Sequence, residues 1–141
     1  MSIVYRTDKK DLPCEPLRQL FVSAGWSDDE EDAEVLAQFN IPFIHSTLVV
    51  SAWDDERLVG AVRVLSDTII RSVVYDLVVL PVYRNKGIGK ALLRHCMEHF
   101  PGSEWLIQTT AETASYYEQL GFDVNKDVFL TIPSVYNGQT G

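Results

Sequence analysis

The chain has 141 residues, of which 46% are hydrophobic and 23% are charged. This length and composition fit a single globular domain over residues 1–141 and exclude the disordered and fibrous classes. The formal net charge of −8 opposes binding to nucleic acids and to anionic membranes, because both present negative phosphates. No apolar run reaches the ~18 residues of a membrane span, and the first residues lack a signal-peptide core, so we expect a cytoplasmic protein.

The hydrophobic pattern predicts an α+β (mixed α/β) fold. In chain order the predicted elements are a strand at 3–6, helices at 15–24 and after Ser27, strands at 47–53, 57–65 and 72–80, a helix at 87–100, a strand at 105–109, a helix at 113–120 and a strand at 128–132. The three middle strands follow one another too closely for a fully parallel, doubly wound sheet. Residues 136–141 are expected to fray.

Six acidic residues are concentrated between positions 28 and 34. They are Asp28, Asp29, Glu30, Glu31, Asp32 and Glu34. We interpret them as a solvated first turn of the second helix, with Ser27 and Glu30 as a capping box, because carboxylates favour the positive end of a helix. The alternative is a negative field that attracts cationic amines.

The cysteines and histidines are not interpreted as metal ligands. Cys14 and Cys96 are far apart in the sequence and are expected to be free thiols. His95 and His99 lie four residues apart on a predicted helix without the acidic partner of the zinc motif H-E-x-x-H, so a zinc site is not expected. We therefore predict no metal.

A basic loop with two glycines opens the predicted helix at 87–100. Successive N–H groups at a helix start and the helix dipole together favour an anion, and glycines allow a phosphate to approach the backbone. Two phosphate motifs fail here: Leu92 replaces the third glycine of a dinucleotide fingerprint, and Arg84 replaces the first glycine of a P-loop. A tight turn without a ligand is the alternative interpretation.

The run Arg84-x-x-Gly87-x-Gly89, which follows a Val/Leu strand, resembles the acyl-CoA pyrophosphate loop of the GNAT superfamily of N-acetyltransferases. Downstream, the run Ala-Ser-Tyr-Tyr-Glu-Gln-Leu-Gly-Phe at 114–122 resembles the tyrosine-bearing helix of the same family. The resemblance covers roughly residues 3–132 and implies a central, mostly antiparallel, twisted sheet flanked by helices. It also implies acetyl transfer from acetyl-CoA to a primary amine of a small molecule.

The resemblance also implies which residues bind the cosubstrate. They are the backbone of Leu77, Val78 and Val79, the loop and helix start at Arg84, Asn85, Lys86, Gly87, Ile88, Gly89 and Lys90, and the downstream Thr110 and Tyr117. Thr110 stands where many family members have an asparagine. A plain buried strand is the alternative interpretation of residues 77–79.

Two residues are predicted to be catalytic. Tyr117 corresponds to the family's general acid, which protonates the leaving thiolate, whereas its neighbour Tyr116 is interpreted as a packing residue. Asp76 is a candidate general base, and the alternative is a strand-end carboxylate in a salt bridge with Arg63 or Arg71. The resemblance leaves two other functions open, an acyl-CoA-binding module with little turnover and an enzyme that acetylates a peptide or protein amine. A homodimer is also expected.

Overall fold

The computed structural model describes residues 2–135, so the predicted fraying of 136–141 lies outside the described residues. The chain forms two compact units, Met1–Ile107 and Gln108–Gly141, and the single-domain assignment stays a prediction. The first unit holds five strands, β1 (Ile3–Arg6), β2 (Leu48–Asp54), β3 (Arg57–Ser66), β4 (Arg71–Val79) and β5 (Glu104–Ile107). Its helices are α1 (Cys14–Ser23), α2 (Ala33–Ala37), α3 (Ile41–Ile44) and α4 (Ile88–His99), and the second unit holds α5 (Ala114–Glu118).

The five strands form one sheet in the order β1-β2-β3-β4-β5. The pairs from β1 to β4 are antiparallel, and β4 pairs with β5 in parallel after the α4 crossover. Short turns suffice for the antiparallel connections, whereas a parallel partner requires a long crossover. The predicted α+β class with a mostly antiparallel sheet is confirmed.

Helices cover both faces of the sheet because β3 is apolar on both of its faces. On one face, Leu17 and Leu20 of α1 pack in a cluster with Ala61 of β3 and Val78 of β4. On the other face, α4 comes so close that a Cβ on Gly60 would lie 3.3 Å from the Leu92 side chain. A central strand buried on both faces reads as a continuous apolar run rather than an alternating one.

The acidic segment differs from its prediction. Helix α2 begins only at Ala33, and Asp32 rather than Ser27 caps it by accepting a hydrogen bond from the Val35 N–H. Most of the acidic run therefore precedes the helix. Arg18 of α1 explains this arrangement, because its guanidinium contacts the carboxylates of Asp29 at 2.8 Å and Glu31 at 3.8 Å.

The predicted strand at 128–132 is wrong. Residues 123–135 contain no strand, and their apolar side chains are exposed, with Leu130 at 88% and Ile132 at 97%. The residue types there favour a strand, but strand propensity is expressed only when a neighbouring strand and a buried face are available.

Within residues 2–135 no helix is long and apolar enough to cross a membrane.

Candidate active site

Strand β4 has one edge that is only partly covered. Strand β5 pairs with it from Arg71 to Val74 and then ends at Ile107. Strand β4 itself continues to Val79 and remains paired with β3. The last five residues of β4 therefore lie beyond the β5 ladder, and peptide groups on that edge are free to pair with an extended ligand, as a strand would.

A β-bulge interrupts the pairing of β4 with β3. Ala61 pairs with Val78 and Arg63 pairs with Tyr75, so two residues of β4, Asp76 and Leu77, face a single residue of β3. Asp76 has a φ of 55°, in the left-handed region that a non-glycine residue rarely adopts. The bulge changes which peptide groups point toward the uncovered edge.

The hydrogen bond that follows the bulge gives the direction of these peptide groups. The Leu80 N–H donates to the Val59 carbonyl, so Leu80 and, by alternation, Val78 face β3. Alternation consequently directs the Leu77 carbonyl and the peptide groups of Val79 toward the uncovered edge. Among the three predicted backbone ligands, Leu77 and Val79 can thus offer peptide groups to a ligand, whereas those of Val78 are directed at β3. The carbonyl of Val79 already accepts a hydrogen bond from Arg84 Nε at 3.0 Å.

Strand β4 leads into α4 through a 3₁₀ turn at Pro81–Tyr83. The turn is fixed to the β2–β3 hairpin, because the Tyr83 hydroxyl donates to the Asp54 carboxylate at 2.6 Å. The guanidinium of Arg57 lies 5.5 Å from the centre of the same ring. This contact could not be predicted, since nothing in the sequence pairs a loop tyrosine with a hairpin acid.

The loop between this turn and α4 has the backbone that an anion site requires. Asn85 and Gly87 both have left-handed φ values, of 62° and 80°. The Ala91 N–H donates to the Gly87 carbonyl and is the first to bond within the helix. The N–H groups of Ile88 and Gly89 therefore point out of the helix end without an intrahelical acceptor.

The same loop carries exposed positive charge. Arg84, Lys86 and Lys90 are all exposed, and no carboxylate among residues 2–135 forms a salt bridge with any of them. Free basic side chains around a helix N-terminus favour a phosphate or pyrophosphate. The predicted phosphate-binding loop and the uncovered edge of β4 therefore both lie in the first unit.

Asp76 forms the salt bridge that was predicted as the alternative to a role as base. Its Oδ2 accepts a hydrogen bond from Arg63 Nε at 2.6 Å, and both side chains are largely buried. Arg71, the other partner considered, instead contacts Glu104. The pair with Arg63 therefore joins the bulge of β4 to β3.

The two remaining predicted residues, Thr110 and Tyr117, belong to the second unit. The Thr110 hydroxyl lies 3.0 Å from the Thr113 hydroxyl, just before α5. The ring of Tyr117 packs edge-on against Tyr116 and Phe122, at centroid distances of 5.1 and 6.0 Å. Tyr116 is 42% exposed, so it packs on the Tyr117 ring from the surface rather than in a core, and Tyr117 is the more buried of the two.

Burial raises the pKa of the Tyr117 phenol above its usual value, and Tyr116 adds to the effect. The hydroxyl therefore stays protonated at neutral pH. Within residues 108–135 it has no hydrogen-bond partner. Tyr117 is thus a half-buried phenol that keeps its proton available as a donor.

No metal centre is evident in the described part of the chain. Residues 2–135 contain no group of three or more His, Cys, Asp or Glu side chains arranged to hold an ion. On α4, His95, Glu98 and His99 have the spacing of a different zinc motif, H-x-x-E-H, although no metal was predicted from the sequence. There His99 Nδ1 lies 2.9 Å from the backbone carbonyl of His95.

Curated proteins similar to this chain include several that are named as acetyltransferases. An uncharacterised N-acetyltransferase, ycf52, of Porphyra purpurea is 27% identical over 131 residues, which are 88% of this chain and 72% of the relative. The histone acetyltransferase TAP1 of Glycine max is 28% identical over 78 residues, which are 52% of this chain and 33% of that protein.

Solved structures share the fold. A GNAT-family acetyltransferase from Streptococcus pneumoniae TIGR4 superposes with a TM-score of 0.76 at 22% identity, over 94% of this chain and 98% of that one. The structure of AAC(6′)-Iy in complex with the bisubstrate analogue CoA-S-monomethyl-acetylneamine gives 0.69 at 16% identity, over 95% and 99%. A family model described as the acetyltransferase (GNAT) domain matches residues 45–124, more than half of the chain. The chain belongs to the GNAT family of acetyltransferases.

Proposed function

We propose that this GNAT protein is an N-acetyltransferase that transfers the acetyl group of acetyl-CoA to a primary amine of a small molecule. The observation that carries the proposal is the continuity of one stretch of chain. The uncovered edge of β4, at Leu77 and Val79, leads within ten residues to the basic N-terminus of α4. Coenzyme A has the matching order of groups, since its extended thiol arm is joined directly to its pyrophosphate.

Acetyl-CoA supplies a thioester, whose acyl carbon a neutral amine can attack. The N–H groups of Ile88 and Gly89 and the side chains of Arg84, Lys86 and Lys90 are assigned to the pyrophosphate, because the N–H groups have no intrahelical acceptor and no carboxylate of the described residues pairs with the three side chains. Peptide groups of Leu77 and Val79 are assigned to the pantetheine arm and to polarising the thioester carbonyl. Asn85 and Gly87 supply the left-handed turns, and Thr110 is assigned to the arm through its hydroxyl.

Tyr117 is assigned as the general acid. Its phenol is protonated at neutral pH because burial raises its pKa. A raised pKa also makes complete proton transfer to a thiolate unfavourable, since a free thiol has a pKa near 8.5. The phenol therefore donates a hydrogen bond while charge develops on sulfur and transfers its proton only as the C–S bond breaks. It regains a proton, through solvent, from the nitrogen that has been acetylated. Asp76 stays a proposal for the general base that deprotonates the acceptor amine. Its ion pair with Arg63 indicates a second candidate role, which is structural.

The acceptor is proposed to be a small amine, and a peptide or protein amine is the second candidate. The net charge of −8 favours a cationic acceptor of either kind. The similarity to a protein named histone acetyltransferase TAP1 favours the second candidate. The complex of AAC(6′)-Iy with an analogue that contains CoA and acetylneamine favours a small acceptor.

One assay tests the cosubstrate and the acceptor together. The protein is incubated with acetyl-CoA and a panel of polyamines, arylalkylamines, aminoglycosides and basic peptides, and released thiol is measured. We expect at least one small amine to accelerate release above the buffer rate. Acceleration only by peptides would select the second candidate. Binding without acceleration by any acceptor would indicate an acyl-CoA-binding module.

The cosubstrate is tested separately by thermal unfolding. A ligand that binds the native state raises the melting temperature, so acetyl-CoA at about 0.5 mM, a concentration within the usual KM range, is expected to raise it more than NAD or ATP. Equal shifts for all three would contradict the cosubstrate. Sedimentation of the same sample tests the proposed homodimer, which a single monomer boundary would exclude. A cytoplasmic location remains part of the proposal and is tested by cell fractionation.

A further inference from the structure

Asp76 has a backbone conformation that requires external support. It is one of two residues of β4 that face a single residue of β3, and its φ of 55° is costly for a side chain with a Cβ. Such bulges usually place a glycine at the left-handed position, whereas aspartate tolerates it only moderately well. Some contact of the Asp76 side chain must offset this cost.

Arg63 makes that contact, and it does so from the strand opposite the bulge. Arg63 is the register partner of Tyr75, the residue immediately before Asp76. Its Nε donates to Asp76 Oδ2 at 2.6 Å, which fixes the carboxylate relative to β3. Because the two side chains are only 19% and 29% exposed, water screens this ion pair less than it screens a surface pair.

The guanidinium of Arg63 is itself fixed in place. It lies 5.2 Å from the ring centre of Tyr75 and 5.9 Å from that of Phe43, and it donates to the Ser46 hydroxyl at 3.5 Å. Phe43 is fully buried, so the guanidinium rests on the core of the first unit. A planar cation held by two rings and a hydroxyl presents Nε in a single orientation.

We propose that Arg63 is a positioning residue, which clamps the Asp76 carboxylate and thereby holds the β4 bulge that turns the Leu77 peptide toward the uncovered edge. This inference rests on the proposed acetyl transfer, because it gives that peptide its function. It assigns Asp76 to the same clamp rather than to proton abstraction. An error of about 1 Å in the position of a catalytic group can reduce a rate by about 100-fold, so the clamp is expected to matter for turnover.

The experiment compares Arg63→Gln with Asp76→Asn. Arg63→Gln removes the clamp and leaves a carboxylate without its partner, so kcat is expected to fall by about 10- to 100-fold while the affinity for acetyl-CoA changes less. Asp76→Asn keeps an oxygen that accepts from Arg63 Nε, so its kcat is expected to fall by less than about tenfold, with an unchanged pH profile. The double variant should be no slower than Arg63→Gln, because both changes act on one contact.

The test is decided by which single variant, Arg63→Gln or Asp76→Asn, loses more of its kcat. A general base would give the reverse order: about a 10²- to 10⁴-fold loss in Asp76→Asn, with the loss of one limb of the pH profile, and a smaller loss in Arg63→Gln. That result would overturn the clamp. Arg71→Gln is the matched control, since it removes the exposed ion pair with Glu104 between β4 and β5 and should leave kcat within about twofold.

Two further measurements keep the test independent of turnover and of folding. Amide hydrogen exchange over residues 74–79, followed by mass spectrometry, is expected to be about tenfold faster in Arg63→Gln than in the wild type, and unchanged exchange would count against the clamp. If the wild type acetylates nothing, the proposed function fails and the exchange result still judges the clamp. If Arg63→Gln does not fold, Arg63→Lys replaces it, because it keeps the charge and loses the Nε geometry.

Discussion

The predicted site residues fall into two parts, one in each unit, and the two parts differ in how their own units hold them. From Leu77 to Lys90, the cofactor strand and loop are held by the sheet register and by two side-chain contacts, Tyr83 to Asp54 and Arg84 to the Val79 carbonyl. In the second unit, α5 has only five residues. There Tyr117 is held by ring contacts with Tyr116 and Phe122.

This difference corresponds to the kind of chemistry assigned to each part. The first part acts mainly through peptide groups, whose direction only a neighbouring strand or a helix start can fix. The second part acts through one hydroxyl, which needs a proton and a fixed ring but no ladder. Substitutions in the two parts should therefore affect different kinetic constants.

The largest effect is expected for Tyr117→Phe. The change removes one oxygen and leaves the ring contacts, so stability should change little, because the hydroxyl has no partner within residues 108–135. If the phenol assists departure of the thiolate, kcat falls by about 10²- to 10³-fold and the affinity for acetyl-CoA is nearly unchanged. Stopped-flow thiol release and titration calorimetry measure the two quantities.

The pH dependence of the same variant sharpens the comparison. The active form is the neutral phenol, so the wild-type kcat should decline as pH rises through the raised pKa of Tyr117, above about 10. Tyr117→Phe should lack that decline. Tyr116→Phe is the control, and full activity of a stable Tyr117→Phe protein would mean that solvent supplies the proton.

The next effect is expected for Gly89→Val, which acts on the first part. A branched side chain at the second position of α4 obstructs the approach of a phosphate to the exposed N–H groups. Loss of one or two charge-assisted hydrogen bonds weakens acetyl-CoA binding by roughly 10- to 100-fold. The melting temperature without ligand should remain close to that of the wild type, because valine and glycine have similar propensities in a helix.

Gly102→Ala is the matched control for this loop variant. Gly102 follows the other end of α4, and a Cβ there would meet no atom within 4 Å. Its affinity for acetyl-CoA should equal that of the wild type, as measured by calorimetry. An unchanged affinity in a folded Gly89→Val protein would remove α4 from the cofactor site.

The sequence predicted the strands and helices of the first part closely. The helix predicted at 87–100 lies at Ile88–His99, because its apolar spacing and the flanking glycine and proline act locally. The bulge at Asp76 could not be predicted, since register depends on which residues of β3 and β4 face each other rather than on either strand alone. The direction of the Leu77 peptide therefore emerges only from the structure.

The structure of the second unit was predicted less accurately from the sequence. The run Val128–Phe129–Leu130 has the composition of a strand but is exposed, because propensity cannot replace a partner strand. Tyr116 and Tyr117 are adjacent on a short helix, and the spacing alone did not show which one is more buried. Local patterns thus predicted the elements from β2 to α4 well, whereas strand pairing and side-chain burial became known only from the fold.

The smallest effect is expected for Tyr83→Phe, which tests the support of the cofactor loop. The variant keeps the ring under Arg57 and loses the hydrogen bond to Asp54. The melting temperature should fall by a few degrees, and acetyl-CoA binding should weaken less than in Gly89→Val, because the 3₁₀ turn remains but is held less firmly. Asp54→Asn, which keeps an acceptor for the hydroxyl, should lose less stability than Tyr83→Phe.

The pH dependence of this stability difference has a defined sign. The hydrogen bond to the Asp54 carboxylate is the main cause that raises the pKa of Tyr83 above 10, so the native state keeps the phenolic proton longer than the unfolded chain does. The stability that this bond contributes is fully present below about pH 10 and is lost as pH rises through the higher native pKa. Denaturant unfolding at pH 7, 9 and 10.5 should therefore give the same difference between wild type and Tyr83→Phe at the first two values and a smaller one at the third. Because the other tyrosines titrate alike in both proteins, a difference that grows with pH would contradict the assignment of this bond as the support of the loop.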